Sequence, residues 1–259
     1  MPAYTTDAIV LHRRHFGETD NILTLYSPGL GRFSAIAKGA RKAVSRLSGA
    51  TEVLTCTRFG LASGKSLEIV TQVEVQESFS ALRKDLVRLA HGLYLADLVE
   101  HSVEDHAPNP VLYDLFYTGL LQTQILPVPE LAARWFEVQL LGDLGYAPDL
   151  FLCAVCQTPL PGDFARDEVF ALSATLGGAL CPRHAHPESP DHSGLGMGAM
   201  RLLQTLETLG PTGEALAALP PAGPKSLDQA RLALRRSLCF RLERDLKSLE
   251  FLDSLRQTP

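Results

Sequence analysis

The chain has 259 residues, 24 Lys+Arg against 29 Asp+Glu, a formal charge of −5 and a pI near 5.9. Hydrophobic residues make up 46% and charged residues 20%, which excludes wholesale disorder, and no apolar run approaches the ~20 residues that span a bilayer. No export segment opens the sequence, so a cytoplasmic protein without a membrane partner is expected. Whole-chain acidity argues against a nucleic-acid ligand, but the charge is uneven. Residues 1–80 hold nine cations and seven anions, residues 81–224 seven and seventeen, and residues 225–259 eight and five. Between Arg32 and Lys65 stand seven cations and one anion, Glu52. Over a Debye length of ~8 Å a phosphate senses that local patch, not the distant acidic middle.

Residues 4–79 read as β. Val, Ile and Thr are dense in 5–12, 22–26, 33–37, 51–59 and 67–75, with glycines between. In the last stretch Leu67, Ile69, Val73 and Val75 alternate with Glu68, Gln72, Glu74 and Gln76, so one face is buried and one is wet. Five short strands in about 75 residues suit a small closed barrel, an OB-fold or an SH3-like one. From residue 80 the period becomes helical: Leu82, Leu86, Leu89, Leu93, Ala96 and Val99 fall on one face. Further helices are expected over 111–124, 130–144, 197–209 and 226–252, separated by Pro108, Pro110, Pro127 and Pro129. Ser226 and Gln229 have capping-box spacing for the last of them. The stretches 185–198 and 210–224 read as loops.

Five cysteines occur. An odd number without an export signal does not suggest a disulfide framework. Cys153-Ala-Val-Cys156 and Cys181-Pro-Arg-His184 form two knuckles that offer four soft ligands to one ion. Zn²⁺ suits them, since its filled d shell imposes no geometry and accepts thiolate and imidazole alike. Four protein ligands leave no open position for water, so the expected zinc is single and structural. Reduced, unliganded thiols or a redox pair are the alternative, and His186 or His192 could replace His184. Cys56 and Cys239 read as small core residues.

The run Lys38-Gly-Ala-Arg41-Lys42-Ala-Val-Ser-Arg46 follows a strand. Its small residues allow close backbone approach to phosphates, and its cations would release counterions on binding. Phe16, Tyr26, Phe33 and Phe59 are either base-stacking surfaces or barrel filling. The full candidate nucleic-acid set is Arg14, Arg32, Lys38, Arg41, Lys42, Arg46, Arg58 and Lys65.

These residues together resemble the RecO family of bacterial recombination mediators. The carriers are Ile9-Val-Leu-His-Arg-Arg-His-Phe-Gly17-Glu-Thr-Asp20, Leu23-Thr-Leu and Gly31-Arg-Phe-Ser-Ala-Ile-Ala-Lys38-Gly-Ala-Arg41-Lys42, then Leu141-Gly-Asp-Leu-Gly145-Tyr146-Ala-Pro148-Asp-Leu before the first knuckle. The resemblance implies an α+β multidomain chain: an OB-fold over 1–80, helical parts over 81–150 and 193–259, and an inserted zinc-finger module over 151–192. It also implies binding of single- and double-stranded DNA, annealing of complementary strands, and partnership with RecR and single-stranded DNA-binding protein. Together these help load RecA, in a nucleoid-associated cytoplasmic role. The DNA role then falls on Lys38, Arg41, Lys42 and Arg46, and the zinc role on Cys153, Cys156, Cys181 and His184. Where many members carry a fourth cysteine, this chain has His184.

No phosphate-binding glycine loop, HExxH or GxSxG occurs, so a non-enzymatic protein is expected. His101, Glu104, Asp105 and His106 cluster at a helix end and read as a solvated terminus. Rival readings are a zinc-dependent nuclease and a zinc-ribbon transcription or interaction module. The basic residues Arg231, Arg235, Arg236, Arg241 and Arg244 of the last helix could extend a DNA track, receive an acidic protein tail, or form a solvated face.

Overall fold

The computed structural model describes residues 3–42, 44–64, 66–186, 188–243 and 246–256. The chain forms two compact units, Met1–Gln124 with Lys247–Pro259, and Ile125–Leu246.

The first unit is built on a closed barrel of β1 (Ala3–Phe16), β2 (Asp20–Ser27), β3 (Gly31–Ala37), β4 (Cys56–Ala62) and β5 (Glu68–Glu77), with the four-residue helix α1 (Leu47–Ala50) before β4. The strand order is β1-β2-β3-β5-β4, and β4 pairs back onto β1. All neighbours are antiparallel except β3 and β5, which meet in parallel at Ala35↔Glu68 and Ile36↔Ile69. A five-stranded Greek-key barrel of this order is the OB-fold. Alternation drives it: Leu23 and Leu25, Phe33, Ala35 and Ala37, Phe59 and Leu61 point inward and pack with Ala8, Val10 and Val70. On the outside, Asp7 and Arg58 stand directly opposite on β1 and β4 and form an ion pair at 2.9 Å.

Helices α2 (Leu86–Ser102) and α3 (Pro110–Ile125) belong with this barrel. Asp85 starts α2, its carboxylate accepting from the Val87 and Arg88 amides, and Asn109 accepts from Leu112 at the head of α3. Tyr26, fully buried on β2, packs against Tyr113 at 6.2 Å and donates to the Asn109 carbonyl. Cys56 is buried with its Sγ 3.4 Å from the Tyr113 hydroxyl, and burial pushes its thiol pKa up, so it is an inert core residue.

The expected strand over 51–59 begins only at Cys56. Thr51 turns back to donate to the Leu47 carbonyl, and Leu54 takes a positive φ of 68°. At Gly31 the φ is +68°, and an added Cβ would lie 2.3 Å from the Ala107 carbonyl oxygen. Gly31→Ala is therefore expected to cost at least ~2 kcal/mol, from strain plus a backbone clash, as read by chemical denaturation. A change below ~0.5 kcal/mol would show that the β2–β3 turn and residue 107 yield easily.

The second unit carries α4 (Pro129–Asp143), a three-stranded antiparallel sheet of order β7-β6-β8, α5 (Met197–Thr208) and α6 (Pro224–Leu242). Its strands are β6 (Phe170–Ser173), β7 (Gly178–Leu180) and β8 (His192–Leu195). The sequence predicts no strand here, and β8 occupies part of 185–198, where a loop is expected. The helix expected over 226–252 is two. Glu243 adopts a left-handed φ of 52°, ending α6, and α7 (Lys247–Arg256) belongs to the first unit, where Ser248 bonds Asp97 of α2. The expected capping box does not form: Gly223 precedes Pro224 at the helix start, and the Gln229 side chain accepts from the Gly196 amide instead. Arg244 and Asp245 lie outside the described residues.

Candidate metal centre and nucleic-acid interface

The metal centre starts at the end of α4. Gly145, at φ +78°, lets Tyr146 donate to the Leu141 carbonyl at 2.7 Å, which stops the helix and redirects the chain. Asp149 then caps a turn through the Phe151 and Leu152 amides. The first knuckle closes with Cys153 N–H donating to the Thr158 carbonyl and Gln157 N–H to the Cys153 carbonyl. The second closes with the His184 and Ala185 amides on the Cys181 carbonyl.

The ligand atoms of Cys153, Cys156, Cys181 and His184 all lie within 4.8 Å of one another. Cys156 Sγ and Cys181 Sγ are 3.8 Å apart, and His184 Nδ1 is 3.3 Å from Cys181 Sγ and 3.7 Å from Cys153 Sγ. A tetrahedral ion with Zn–S of about 2.3 Å and Zn–N of about 2.0–2.1 Å has edges of about 3.8 Å between sulfurs and about 3.5 Å from sulfur to nitrogen. The donor set therefore fits zinc in both chemistry and spacing. Cys181 N–H points at Cys153 Sγ at 3.4 Å. Thr158, through its hydroxyl and amide, brings the Cys156 thiol down to about 6, so that sulfur is in its metal-binding form at neutral pH. His186 and His192 stand apart, their rings stacked at 6.0 Å and the His186 amide donating to His192 Nδ1. Among the described residues, this is the one group of three or more Cys, His or acidic side chains whose ligand atoms converge. The cluster around residues 101–106 is dispersed, with His101 against Asp97 and Asp105 against Arg32.

The basic residues separate into two kinds. Asp20, at the start of β2, accepts from the Gly39 amide at 2.8 Å, which is the chief reason its carboxyl titrates below the usual range. The Arg41 amide donates to the Thr19 carbonyl and its guanidinium to the Glu18 carbonyl. These bonds pin the segment after β3 against the β1–β2 turn. Lys38, Arg41, Lys42 and Arg46 are all exposed there, and Arg14 is exposed on β1, opposite Ile22 and in line with Ile36 of β3. None of these five forms an ion pair among the described residues. Phe16, 52% exposed, ends β1 beside the same turn. Arg32 is engaged differently, bonding Asp105 at 2.6 Å and the Glu100 carbonyl, and Arg58 is paired with Asp7. Lys65 lies outside the described residues. Phe33 and Phe59 are buried in the barrel interior and Tyr26 is buried outside it against Tyr113, which leaves Phe16 as the one aromatic of the four with an open face.

Two family models match consecutive parts of the chain: Recombination protein O N terminal over residues 1–79 and Recombination protein O C terminal over residues 83–250. The chain belongs to the RecO family. It is 38% identical over 260 residues to the DNA repair protein RecO of Pelotomaculum thermopropionicum, covering 100% of this chain and 97% of the relative. The corresponding protein of Heliobacterium modesticaldum is 37% identical, with 98% and 91% covered, and that of Symbiobacterium thermophilum 34%, with 99% of each.

In this RecO-family chain, sequence reasoning missed the supports of the metal centre. Gln204 of α5 is buried and donates to the Leu150 and Leu160 carbonyls on either side of the first knuckle, both at 2.8 Å. Thr158 sets the state of Cys156 from two residues away. The only cue in the sequence is a hydroxyl two positions after a ligand; Gln204 gives none, because its role depends on tertiary packing.

Proposed function

We propose that this chain is a non-enzymatic, DNA-binding recombination mediator of DNA repair. It binds single- and double-stranded DNA, anneals complementary strands and, with RecR, helps load RecA onto strands coated with single-stranded DNA-binding protein. It works in the cytoplasm, associated with the nucleoid. The observation that carries this reading is the cation cluster of Arg14, Lys38, Arg41, Lys42 and Arg46, exposed and outside any ion pair among the described residues, on an OB-fold whose family members are named DNA repair proteins.

The chemistry asked of such a protein is modest. Annealing breaks and forms no covalent bond; it needs the repulsion between two phosphate backbones lowered and bases left accessible. The five cations supply the first, and the Asp20–Gly39 and Thr19–Arg41 contacts fix the backbone that carries Lys38, Arg41 and Lys42, which lowers the ordering cost of binding. Phe16 supplies one stacking surface. Lys65, outside the described residues, remains in the proposed set, whereas Arg32 and Arg58 first serve the fold through their ion pairs.

Zinc, where bound, would be held by Cys153, Cys156, Cys181 and His184 and would supply cross-linking of the two knuckles. These four residues fill a tetrahedral set, so the site is structural, and a nuclease reading lacks an open metal position.

The test is a salt titration of binding to a fluorescent oligonucleotide. The log–log slope is expected to be about −3 to −5, as four or five phosphate contacts at about 0.7–0.9 each require. Incubating the same DNA with protein, zinc and magnesium should leave it uncut. A flat salt dependence, or turnover of the DNA, would overturn the reading.

A further inference from the structure

Residues of the second unit that the metal centre does not use converge between β8 and α6. His192 lies on one wall of a groove of about 610 Å³, and Leu232, Arg235, Arg236, Cys239 and Phe240 on the other. Leu232 and Phe240 leave 48% and 47% of their surface exposed. Next along the helix, the Arg241 guanidinium lies over the Tyr146 ring at 4.8 Å and over the Phe240 ring at 5.2 Å. Tyr146 is also open to solvent, at 45%. Two rings and a guanidinium plane thus form a stack that reaches the surface.

The charges at this stack are not cancelled. Arg236 donates to the His192 carbonyl and Arg241 to the Ala174 carbonyl. Both acceptors are neutral, and neither arginine forms an ion pair among the described residues. Arg231, one turn earlier, differs: Asp228 holds it at 2.7 Å. A guanidinium has five donors, so one carbonyl leaves several for a phosphate.

We propose that this groove and stack bind single-stranded nucleic acid, with bases stacking on Phe240 and Tyr146 and phosphates on Arg236 and Arg241. The inference rests on the DNA-binding reading above and deepens it: annealing brings two strands together, and a chain with a second strand-binding surface can hold both at once. Exposed aromatic planes interleaved with arginines match the π-faces that every base carries. They favour a nucleic acid over an acidic peptide, whose aliphatic side chains need an enclosed pocket.

The experiment uses the full chain and two non-complementary thymidine oligonucleotides, one immobilised and one fluorescent, with photo-crosslinking from iodouracil placed in either. Wild type should capture the second strand and yield crosslinks in residues 231–243 or at Tyr146. Phe240→Ala with Arg241→Gln should lower second-strand capture at least fivefold while changing first-strand affinity less than twofold, and Phe240→Trp should retain capture. Crosslinks confined to the barrel, or undiminished capture by the double variant, would overturn the proposal. So would loss in that variant of binding to an acidic peptide with second-strand capture intact. Wild type that binds one strand but not two defeats this inference alone, whereas wild type that binds no DNA defeats the parent reading with it.

Discussion

A chain carrying Lys38→Glu with Arg41→Glu is expected to bind a DNA oligonucleotide at least tenfold more weakly than wild type, with an unchanged melting temperature. Tenfold is about 1.4 kcal/mol, a modest demand when two attractive contacts become two repulsive ones. Folding should survive because the backbone carries the local architecture. Asp20 is bonded to the Gly39 amide and Thr19 to the Arg41 amide, and neither bond uses the substituted side chains. The single side-chain bond lost, Arg41 to the Glu18 carbonyl at 3.2 Å, is exposed and weak. Arg58→Glu makes the contrast. It would face Asp7 directly across β1 and β4, so like charges should lower stability while affinity falls less than threefold. Fluorescence anisotropy and thermal melts on the three chains read both effects.

The second large effect belongs to the metal. Cys153→Ala is expected to reduce bound zinc from one ion per chain to near none and to lower the melting temperature of the second unit markedly. Structural zinc contributes about 10 kcal/mol or more of binding free energy to folding in small modules, and here it would tie together two knuckles 28 residues apart in sequence, Cys153 and Cys181. Cys153 is fully buried, and its sulfur accepts from the Cys181 amide, so the substitution also removes a partner from a buried N–H. Elemental analysis and calorimetry decide the matter. A metal-free variant as stable as wild type would refute a structural role for the ion.

What could be read in advance follows from the range of each interaction. The barrel's strands announce themselves by period two, and the four metal donors by paired two-residue spacing, because both are local signals. Closure of the barrel is not local: it rests on β3 meeting β5 in parallel over two residue pairs, Ala35↔Glu68 and Ile36↔Ile69. The small sheet was invisible for a different reason. Its strands are four, three and four residues long, and His192-Ser-Gly-Leu195 carries no β-forming signature. The long C-terminal helix looked continuous because its apolar spacing continues, yet Glu243 in the left-handed region breaks it. Charge counting located the basic segment but could not tell Lys38, exposed and unpaired, from Arg32, which Asp105 and Glu100 hold. That distinction needs a partner 73 residues away, and only the folded chain supplies it.

The most direct measurement is annealing of complementary strands coated with single-stranded DNA-binding protein, followed by strand pairing in real time, with and without RecR. The wild-type chain should accelerate pairing well above the spontaneous rate, RecR should alter that rate, and the Lys38→Glu, Arg41→Glu chain should fall close to background. Wild-type protein that binds the DNA tightly yet leaves the pairing rate at its spontaneous value would contradict the mediator function.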